Sequence, residues 1–446
     1  MKGEKSEVPV YSTGFKWRRF FNWFPLALTY ATFYMGRYNF NVVKGDMGDM
    51  FNYDKVQMGI IATAGFWTYA LSCMVNGPLA DKLGGRKGML IGAAGTVIMN
   101  LIIGLLFLNG WCTKVLVSMS LLYAVNMYFQ SWGALSVTKV NSHWFHVNER
   151  GILGGWFGAM ISVGYFLAYS IGGWILAHFN WYWVFIFPSM VIGVMFIVEY
   201  FLLHNRPSHA GYTDMDVGDG THQDETPVDW KYLIKRMTGP VMLFLIAAEF
   251  CTGFVRQGLL LYYAEYMSQV HHIDKASALF WWGGFGITVG GVIGALSCGW
   301  LSQKLFDSRR PPVACIFYAC QVPALLMLGF ASSPVVAAFM VGFSCMFIFG
   351  IHGMLSGTAS MDFGGRKATA TATGWLDGVQ YLASGLTGFG LGWVLKTYGW
   401  DGVPYVPTYT PANAWVWIVC IIPFSIIGAL LMIPIWNVKP GSKSAH

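Results

Sequence analysis

Twelve apolar stretches, each long enough to cross a bilayer, run along the 446-residue chain and constrain its fold more than any other feature. The hydrocarbon core takes about 20 apolar residues per helix, and backbone amides there must be satisfied within the segment, so such stretches fold as helices. They lie near 20–43, 57–80, 88–108, 115–138, 151–178 and 181–203, then 240–268, 276–302, 312–331, 334–360, 368–395 and 414–436. With 55% hydrophobic and 11% charged residues, the composition fills roughly a dozen spans. A soluble enzyme with one anchor is excluded, and the alternating ten-residue pattern of a membrane β-barrel is absent. The expected class is an all-α membrane protein of 12 transmembrane helices, with aromatic belts and close glycine contacts drawn from 17% aromatic residues and 54 glycines.

Between the sixth and seventh stretches, residues 204–239 are polar, and SHAGYTDMDVGDGTHQDETP is too acidic and Gly-rich to build a core. The segment reads as a flexible linker. This divides the chain into a six-helix bundle over 1–203, a cytoplasmic linker over 204–239 and a second six-helix bundle over 240–446. Alternate loops set the orientation. Twenty-one Lys and Arg fall on one side, from Lys2, Lys5, Lys16, Arg18 and Arg19 through Lys82, Arg86, Lys87, Lys139, Arg150 and Arg206 to Lys439 and Lys443. Only Lys44, Lys55, Lys114, Lys275 and Lys396 fall on the other, which predicts both termini in the cytoplasm. Two cations, Arg37 and Arg256, are left inside predicted spans.

The net charge of +7 carries no basic tract with interleaved aromatics, so nucleic acid is not an expected partner. The eight cysteines form no CxxC pair and read as small core residues. His143, His146, His271 and His272 lie near loops without metal-ligand spacing, and they read as solvated or interfacial. Gly283-Gly284-Phe285-Gly286 follows no strand, so it reads as a helix contact rather than a dinucleotide loop. There is no Walker motif and no nucleophile, base and orienter set. No metal, cofactor or enzymatic reaction is expected. No small-residue cleavage site follows the first apolar run, so no removable signal peptide is expected.

The halves repeat. Gly77-Pro-Leu-Ala-Asp81-Lys82-Leu83 closes the second stretch and Gly299-Trp-Leu-Ser-Gln303-Lys304-Leu305 the eighth, 222 residues later. Arg37 and Arg256 are 219 apart, as are Gly155-Trp156 and Gly374-Trp375. A six-helix unit used twice is the plan of many secondary transporters, with substrate held between the repeats near the midplane. A guanidinium in hydrocarbon costs at least about 2.5 to 3.5 kcal/mol, so each arginine should face a wet cavity. Its planar fork matches two phosphate oxygens. The competing reading is that each arginine pairs with a buried acid, Arg256 with Glu249 two turns away.

These residues carry a resemblance. Gly77-xxx-Asp81-Lys82-x-Gly84-Gly85-Arg86-Lys87 resembles the loop signature of the major facilitator superfamily, in which the Asp and the basic residues latch cytoplasmic helix ends. Tyr34-xx-Arg37-x-Asn39-Phe40, Gln130-x-Trp132 with Lys139, Trp144-Phe145, Glu149-Arg150-Gly151, Arg256-x-Gly258, Gly299-Trp300 and Gly399-Trp400-Asp401-Gly402 resemble its organophosphate:phosphate antiporter family, the glycerol-phosphate and hexose-phosphate transporters. The resemblance implies a major facilitator fold of two pseudo-symmetric six-helix bundles in a bacterial inner membrane. It makes Arg37 and Arg256 the phosphoryl ligands. It makes Tyr30, Tyr34, Tyr38, Tyr69, Gln130, Trp132, Asp377 and Tyr381 candidates for the rest of the substrate site. The gate would be Gly77, Asp81, Lys82, Arg86, Lys87, Glu149 and Arg150.

The departures bear on the substrate. Where family members carry Lys directly after the first arginine this chain has Tyr38, and where they carry Lys in the second span it has Cys73. The fifth-span His of glycerol-phosphate members falls at Ile161, or near Tyr165 at a shifted register. Asp377 could meet sugar hydroxyls, a substrate amine or a proton, or simply pack beside glycines. His352 is a further candidate proton site, and Glu199, near a span end, reads as reaching water. The implied activity is exchange of a phosphorylated small metabolite for inorganic phosphate by a monomeric transporter. The alternatives are a proton-coupled organic-anion symporter and a transport-like sugar-phosphate sensor.

Overall fold

The computed structural model describes residues 11–112, 114–218, 230–274, 277–398 and 415–439. Among these the chain forms helices and no strand. The first three apolar stretches lie on α1 (Thr13–Phe51), α2 (Lys55–Leu83) and α3 (Gly85–Leu108). The fourth is split at Ser131 into α4 (Val115–Gln130) and α5 (Trp132–Trp144), and the fifth runs through α6 (Arg150–Phe166), a π-helical segment Leu167–Ile171 and α7 (Gly172–His178). The sixth is α8 (Trp183–Leu202). After a short helix α9 (Trp230–Met237) come α10 (Pro240–Gln269), α11 (Ala278–Lys304) and α12 (Arg310–Gly329). The tenth stretch is α13 (Pro334–His352) with the π segment Gly353–Ala359, and it runs into α14 (Ser360–Leu386). The eleventh continues through Thr387–Leu391 into α15 (Gly392–Tyr398), and α16 (Trp415–Met432) carries the twelfth.

Nine helical runs among the described residues are long and apolar enough to cross a membrane. One of them, Pro334–Tyr398, is 65 residues long and bends inside α14 at Gly365, where φ is 64°, and at Ala368. A positive φ is open to glycine without a Cβ penalty, so the bend between the tenth and eleventh stretches is written at that residue. The first and fourth stretches miss the same test. Arg37, Asn39 and Asn41 dilute the apolarity of α1, and α4 and α5 are 16 and 13 residues long.

Local chemistry sets the ends. Ser12 accepts from Phe15 N at the start of α1, and Asp54 and Gln57 form a reciprocal capping box at the start of α2. Pro240 and Pro334 open α10 and α13, where a missing N–H is harmless.

The repeated glycines mate across the halves. A Cβ on Gly374 of α14 would lie 2.3 Å from the Cys73 carbonyl and 3.4 Å from Gly77 Cα of α2. One on Gly299 of α11 would lie 2.6 Å from the Gly151 carbonyl and 3.4 Å from Gly155 Cα of α6. Backbone-to-backbone contact of this kind excludes any side chain, so α2 packs on α14 and α6 on α11. The π segments at Leu167 and Thr387 begin 220 residues apart and extend the same repeat.

Part of the central segment is more ordered than its composition suggests. Val217 is buried and its carbonyl accepts from Val147 N at 2.9 Å, while Tyr212 packs edge-on against Phe15. In α9, Leu233 and Met237 are buried. A few apolar side chains inside the polar stretch suffice to dock it. Residues 219–229 of the expected linker lie outside the described residues, as do Gly399-Trp400-Asp401-Gly402, Lys2, Lys5, Lys275 and Lys443.

Candidate functional site

Arg37 and Arg256 are fully buried at the centre, one on α1 and one on α10. Arg37 donates from Nη1 to Tyr381 Oη at 2.8 Å and from Nε to Gln130 Oε1 at 3.3 Å. Its guanidinium carbon stands 4.7 Å from the Tyr34 ring, 4.6 Å from Tyr69, 5.5 Å from Tyr30 and 5.8 Å from Tyr381. An aromatic cage of this kind stabilises a desolvated cation through the negative ring faces. The Arg256 guanidinium carbon stands 5.2 Å from the same Tyr381 ring. Arg256 donates from Nη1 to His352 Nε2 at 3.0 Å, while its Nε and Nη2 have no hydrogen-bond partner among the described residues. Leaving buried charged donors unmatched costs more than the roughly 1 to 3 kcal/mol of a neutral group, and such donors are ready to grip an anion.

The other predicted residues fall into three groups. Tyr38 joins the centre, with its hydroxyl 3.0 Å from those of both Tyr381 and Tyr165. Tyr165, rather than Ile161, is therefore the fifth-span residue that meets the site. Asp377 accepts from Tyr69 Oη at 2.9 Å and Ser356 Oγ at 3.4 Å, and both arginines act on it electrostatically. Gln130 reaches the site through Arg37, but Trp132 packs with Ala80, Leu135 and Ala370, away from the cage. Only two residues beyond Gln130, it lies past the break at Ser131 and on α5.

The competing arginine–acid pairing is not formed, and the readings of Glu199 and two loop histidines are corrected. Arg256 turns to His352, and Glu249 to the Gln380 amide at 2.9 Å, instead of pairing with each other. Glu199 is buried against Thr29 Oγ1 at 2.9 Å, because α8 packs on α1 there, and it does not reach water. His146 and His271 are also buried, the former capping the turn before α6 by accepting from Asn148 N. Reading the sequence missed Tyr123, whose hydroxyl donates to the Arg37 carbonyl at 2.7 Å, and Ser356. A lone hydroxyl in an apolar stretch gives no local sign of its partner.

The family model of the Major Facilitator Superfamily matches residues 26–388. The chain belongs to the major facilitator superfamily. A probable hexose phosphate transport protein of Chlamydia pneumoniae is 24% identical, covering 97% of this chain and 94% of its own. The membrane sensor protein UhpC of Escherichia coli is 28% identical over 84% and 85%, and the glycerol-3-phosphate transporter of Bacillus subtilis is 25% identical over 84% and 86%. These relatives match the organophosphate:phosphate antiporter resemblance. Among solved structures, a bacterial homolog of the human lysosomal transporter Spinster, inward-facing and unoccupied, superimposes with a TM-score of 0.65 at 15% identity. It covers 95% of this chain and 97% of that one, and it bears on the fold alone.

In this major facilitator chain, contacts between helices of the two halves bracket the central site at each end. At the end rich in Lys and Arg, Asp81 of α2 accepts from Ala370 N at 3.2 Å, Thr371 N at 2.8 Å and Thr371 Oγ1 at 2.7 Å, and pairs with Lys139 at 2.8 Å. Lys139 also donates to the Arg366 carbonyl at 2.6 Å, and Arg150 to the Met361 carbonyl at 3.0 Å. The bridging cations are thus Lys139 and Arg150. Arg86 instead holds the Tyr200 carbonyl within its own half at 2.6 Å, and Lys82 and Lys87 are exposed. Arg86, at the α2–α3 turn, faces the end of α8, where its backbone N–H also donates to Asn205 Oδ1 at 2.7 Å. Glu149 accepts from Arg19 at 3.0 Å and Tyr11 at 3.1 Å, tying the start of α1 to the turn before α6.

The repeat-equivalent Gln303 donates to the Asn148 carbonyl at 2.5 Å. Asp362, unpredicted, accepts from Arg310 at 2.9 Å and lies 3.9 Å from Arg150. At the opposite end, Thr63 donates to the Gly385 carbonyl at 2.9 Å, Lys44 pairs with Glu265 at 2.9 Å, and Lys396 pairs with Asp54 at 2.7 Å.

Proposed function

We propose that this chain is a secondary active transporter that exchanges a phosphorylated small metabolite, such as glycerol phosphate or a sugar phosphate, for inorganic phosphate. The carrying observation is the pair of buried guanidiniums, one from each half, meeting at Tyr381 with Arg256 Nε and Nη2 unmatched. A phosphate dianion supplies the acceptors those donors lack. Tyr30, Tyr34, Tyr38 and Tyr69 form the rest of the binding site, and Asp377 contacts the organic moiety. Relatives described as hexose-phosphate and glycerol-3-phosphate transporters support the substrate class.

The mechanism is alternating access between two six-helix bundles, 1–203 and 240–446, in an inner membrane with both termini cytoplasmic. An anion that draws Arg37 and Arg256 together favours the state closed at both ends, because a ligand shifts populations by its differential affinity. Asp81, Lys139 and Arg150 then form the cytoplasmic gate, and Lys44, Glu265, Asp54 and Lys396 the outer one. The similarity to UhpC favours a second reading, a sugar-phosphate sensor with little flux.

The test is exchange in phosphate-loaded proteoliposomes against a panel of phosphate esters and unphosphorylated organic anions. Counterflow of labelled phosphate with at least one ester supports the transporter. Tight ester binding without flux supports the sensor, and flux of an unphosphorylated anion independent of internal phosphate refutes both.

A further inference from the structure

Glu249 is a fully buried carboxyl on α10 that makes none of the phosphate contacts proposed above, and its neighbours dictate where protons lie. One terminal atom of the Gln380 amide is 2.9 Å from Glu249 Oε2 and 2.8 Å from His352 Nδ1, while Arg256 Nη1 is 3.0 Å from His352 Nε2. A guanidinium has no acceptor, so with Arg256 donating, His352 Nε2 carries the lone pair and the neutral ring bears its hydrogen on Nδ1. Nδ1–H donates, so the amide atom facing it is the Gln380 oxygen, an assignment made from partners as amide orientations are. That oxygen also faces Glu249 Oε2, and two oxygens at hydrogen-bonding distance need a proton between them. The proton belongs to a Glu249 carboxylic acid.

Ionising Glu249 reverses each assignment. The carboxylate takes a Gln380 N–H, the same NH2 group donates to His352 Nδ1, and the ring hydrogen moves to Nε2, where it opposes Arg256.

We propose that Glu249 is a proton-binding site wired to Arg256 through Gln380 and His352, so that one proton travels with each phosphate dianion. The proposal rests on the phosphate reading above. Charge points the same way: Arg37 and Arg256 are offset by Asp377 and an ionised Glu249, so a dianion would enter a site with no net attraction. Protonating Glu249 restores a positive site and holds Arg256 with its Nε and Nη2 free. The proton comes from solvent when the site is open at one end and returns to solvent at the other. By linkage, a proton that strengthens anion binding is itself bound more tightly when the anion is present.

The groups that face Glu249 are Asp377 from α14, His352 from α13, Tyr318 from α12, and Arg256 and Cys251 from α10 itself. The helix α16 and the two π segments packed on α10 carry no charged side chain. The cations of α9 lie beyond Pro240, nine residues and about 13 Å along the helix from Glu249.

The experiment is titration calorimetry of the purified full chain with inorganic phosphate, glycerol 3-phosphate and glucose 6-phosphate, in two buffers of different ionisation enthalpy between pH 8 and 9. Expected is proton uptake that rises toward one per anion as the unliganded Glu249 ionises with rising pH, with affinity then falling about tenfold per pH unit as one-proton linkage requires. Glu249→Gln abolishes the uptake and flattens the pH dependence, and Glu249→Asp restores both. Binding without proton uptake, or undiminished uptake in E249Q, overturns the proton site while leaving the phosphate reading intact. Failure of all three probes to bind overturns the phosphate reading and this proposal together. If E249Q does not fold, infrared difference spectra of the unmodified protein decide. Adding phosphate must produce a protonated-carboxyl carbonyl band that shifts in E249D, and its absence overturns the proposal.

Discussion

Replacing Asp81 with Asn tests the gate at the basic end most directly. The carboxylate is buried and takes three hydrogen bonds from the start of the second segment of α14, at 3.2, 2.8 and 2.7 Å, besides the Lys139 ion pair at 2.8 Å. Asparagine keeps one acceptor oxygen and turns an NH2 toward donors. Removing one partner of a fully buried pair costs about 3 to 5 kcal/mol. Lys139, though, keeps the Arg366 carbonyl and is 9% exposed, so the lower end applies. A loss of about 3 kcal/mol from the state closed at this end shifts its population by about two orders of magnitude.

Substrate contacts are untouched, since Asp81 makes none of the hydrogen bonds of Arg37 or Arg256. The expected result is phosphate exchange slowed at least tenfold or so, with the dissociation constant for phosphate little changed. Spin labels at the exposed Leu83 and Leu305, on α2 and just past α11, should report a longer distance at this end. Unchanged distances with unchanged exchange, or loss of binding in a folded variant, would refute the gate.

Arg37→Lys and Arg256→Lys should each cut exchange severely, because an ammonium cannot reproduce a two-pronged phosphate contact; near-normal flux and affinity in both would remove the clamp. Tyr38→Lys should tighten phosphate-ester binding, an added charge at an effective dielectric of about 20 being worth about 1 to 4 kcal/mol before desolvation. Cys73→Lys should gain less, since Cys73 lies within electrostatic reach of Asp377, which would neutralise the new cation; equal gains measured by calorimetry would contradict that placement. Asp377→Asn should alter preference among sugar phosphates more than affinity for inorganic phosphate, and a uniform loss across the panel would assign it to packing. His143, beyond the apolar part of α5, is pushed down to about 3 by burial and then by the Lys139 charge. Its folded value lies below the unfolded 6.5, so its contribution is complete above pH 6.5 and lost as pH falls. The melting temperature in detergent should drop from pH 7 to pH 5, and less so in His143→Gln.

What the sequence determined by itself is what a solvent imposes locally. Apolar runs of about 20 residues had to become helices, the lone cations inside them had to be functional or paired, and the glycines repeated 219 and 222 residues apart marked equivalent helices. Arg37, Arg256 and Asp81 were legible on those grounds. Their partners were not, because each lies far along the chain: Tyr381 is 344 residues from Arg37, and Thr371 is 290 from Asp81. The bond between Arg256 and His352, the turn of Glu249 to Gln380, the pairing of Lys139 with Asp81 and the Asp362–Arg310 pair depend on which helix faces abut. That follows from packing across the two halves, where glycine contacts fix the approach of α2 to α14 and of α6 to α11. Tertiary structure alone therefore decided that the two arginines share one tyrosine in a site bracketed at each end by contacts between the halves.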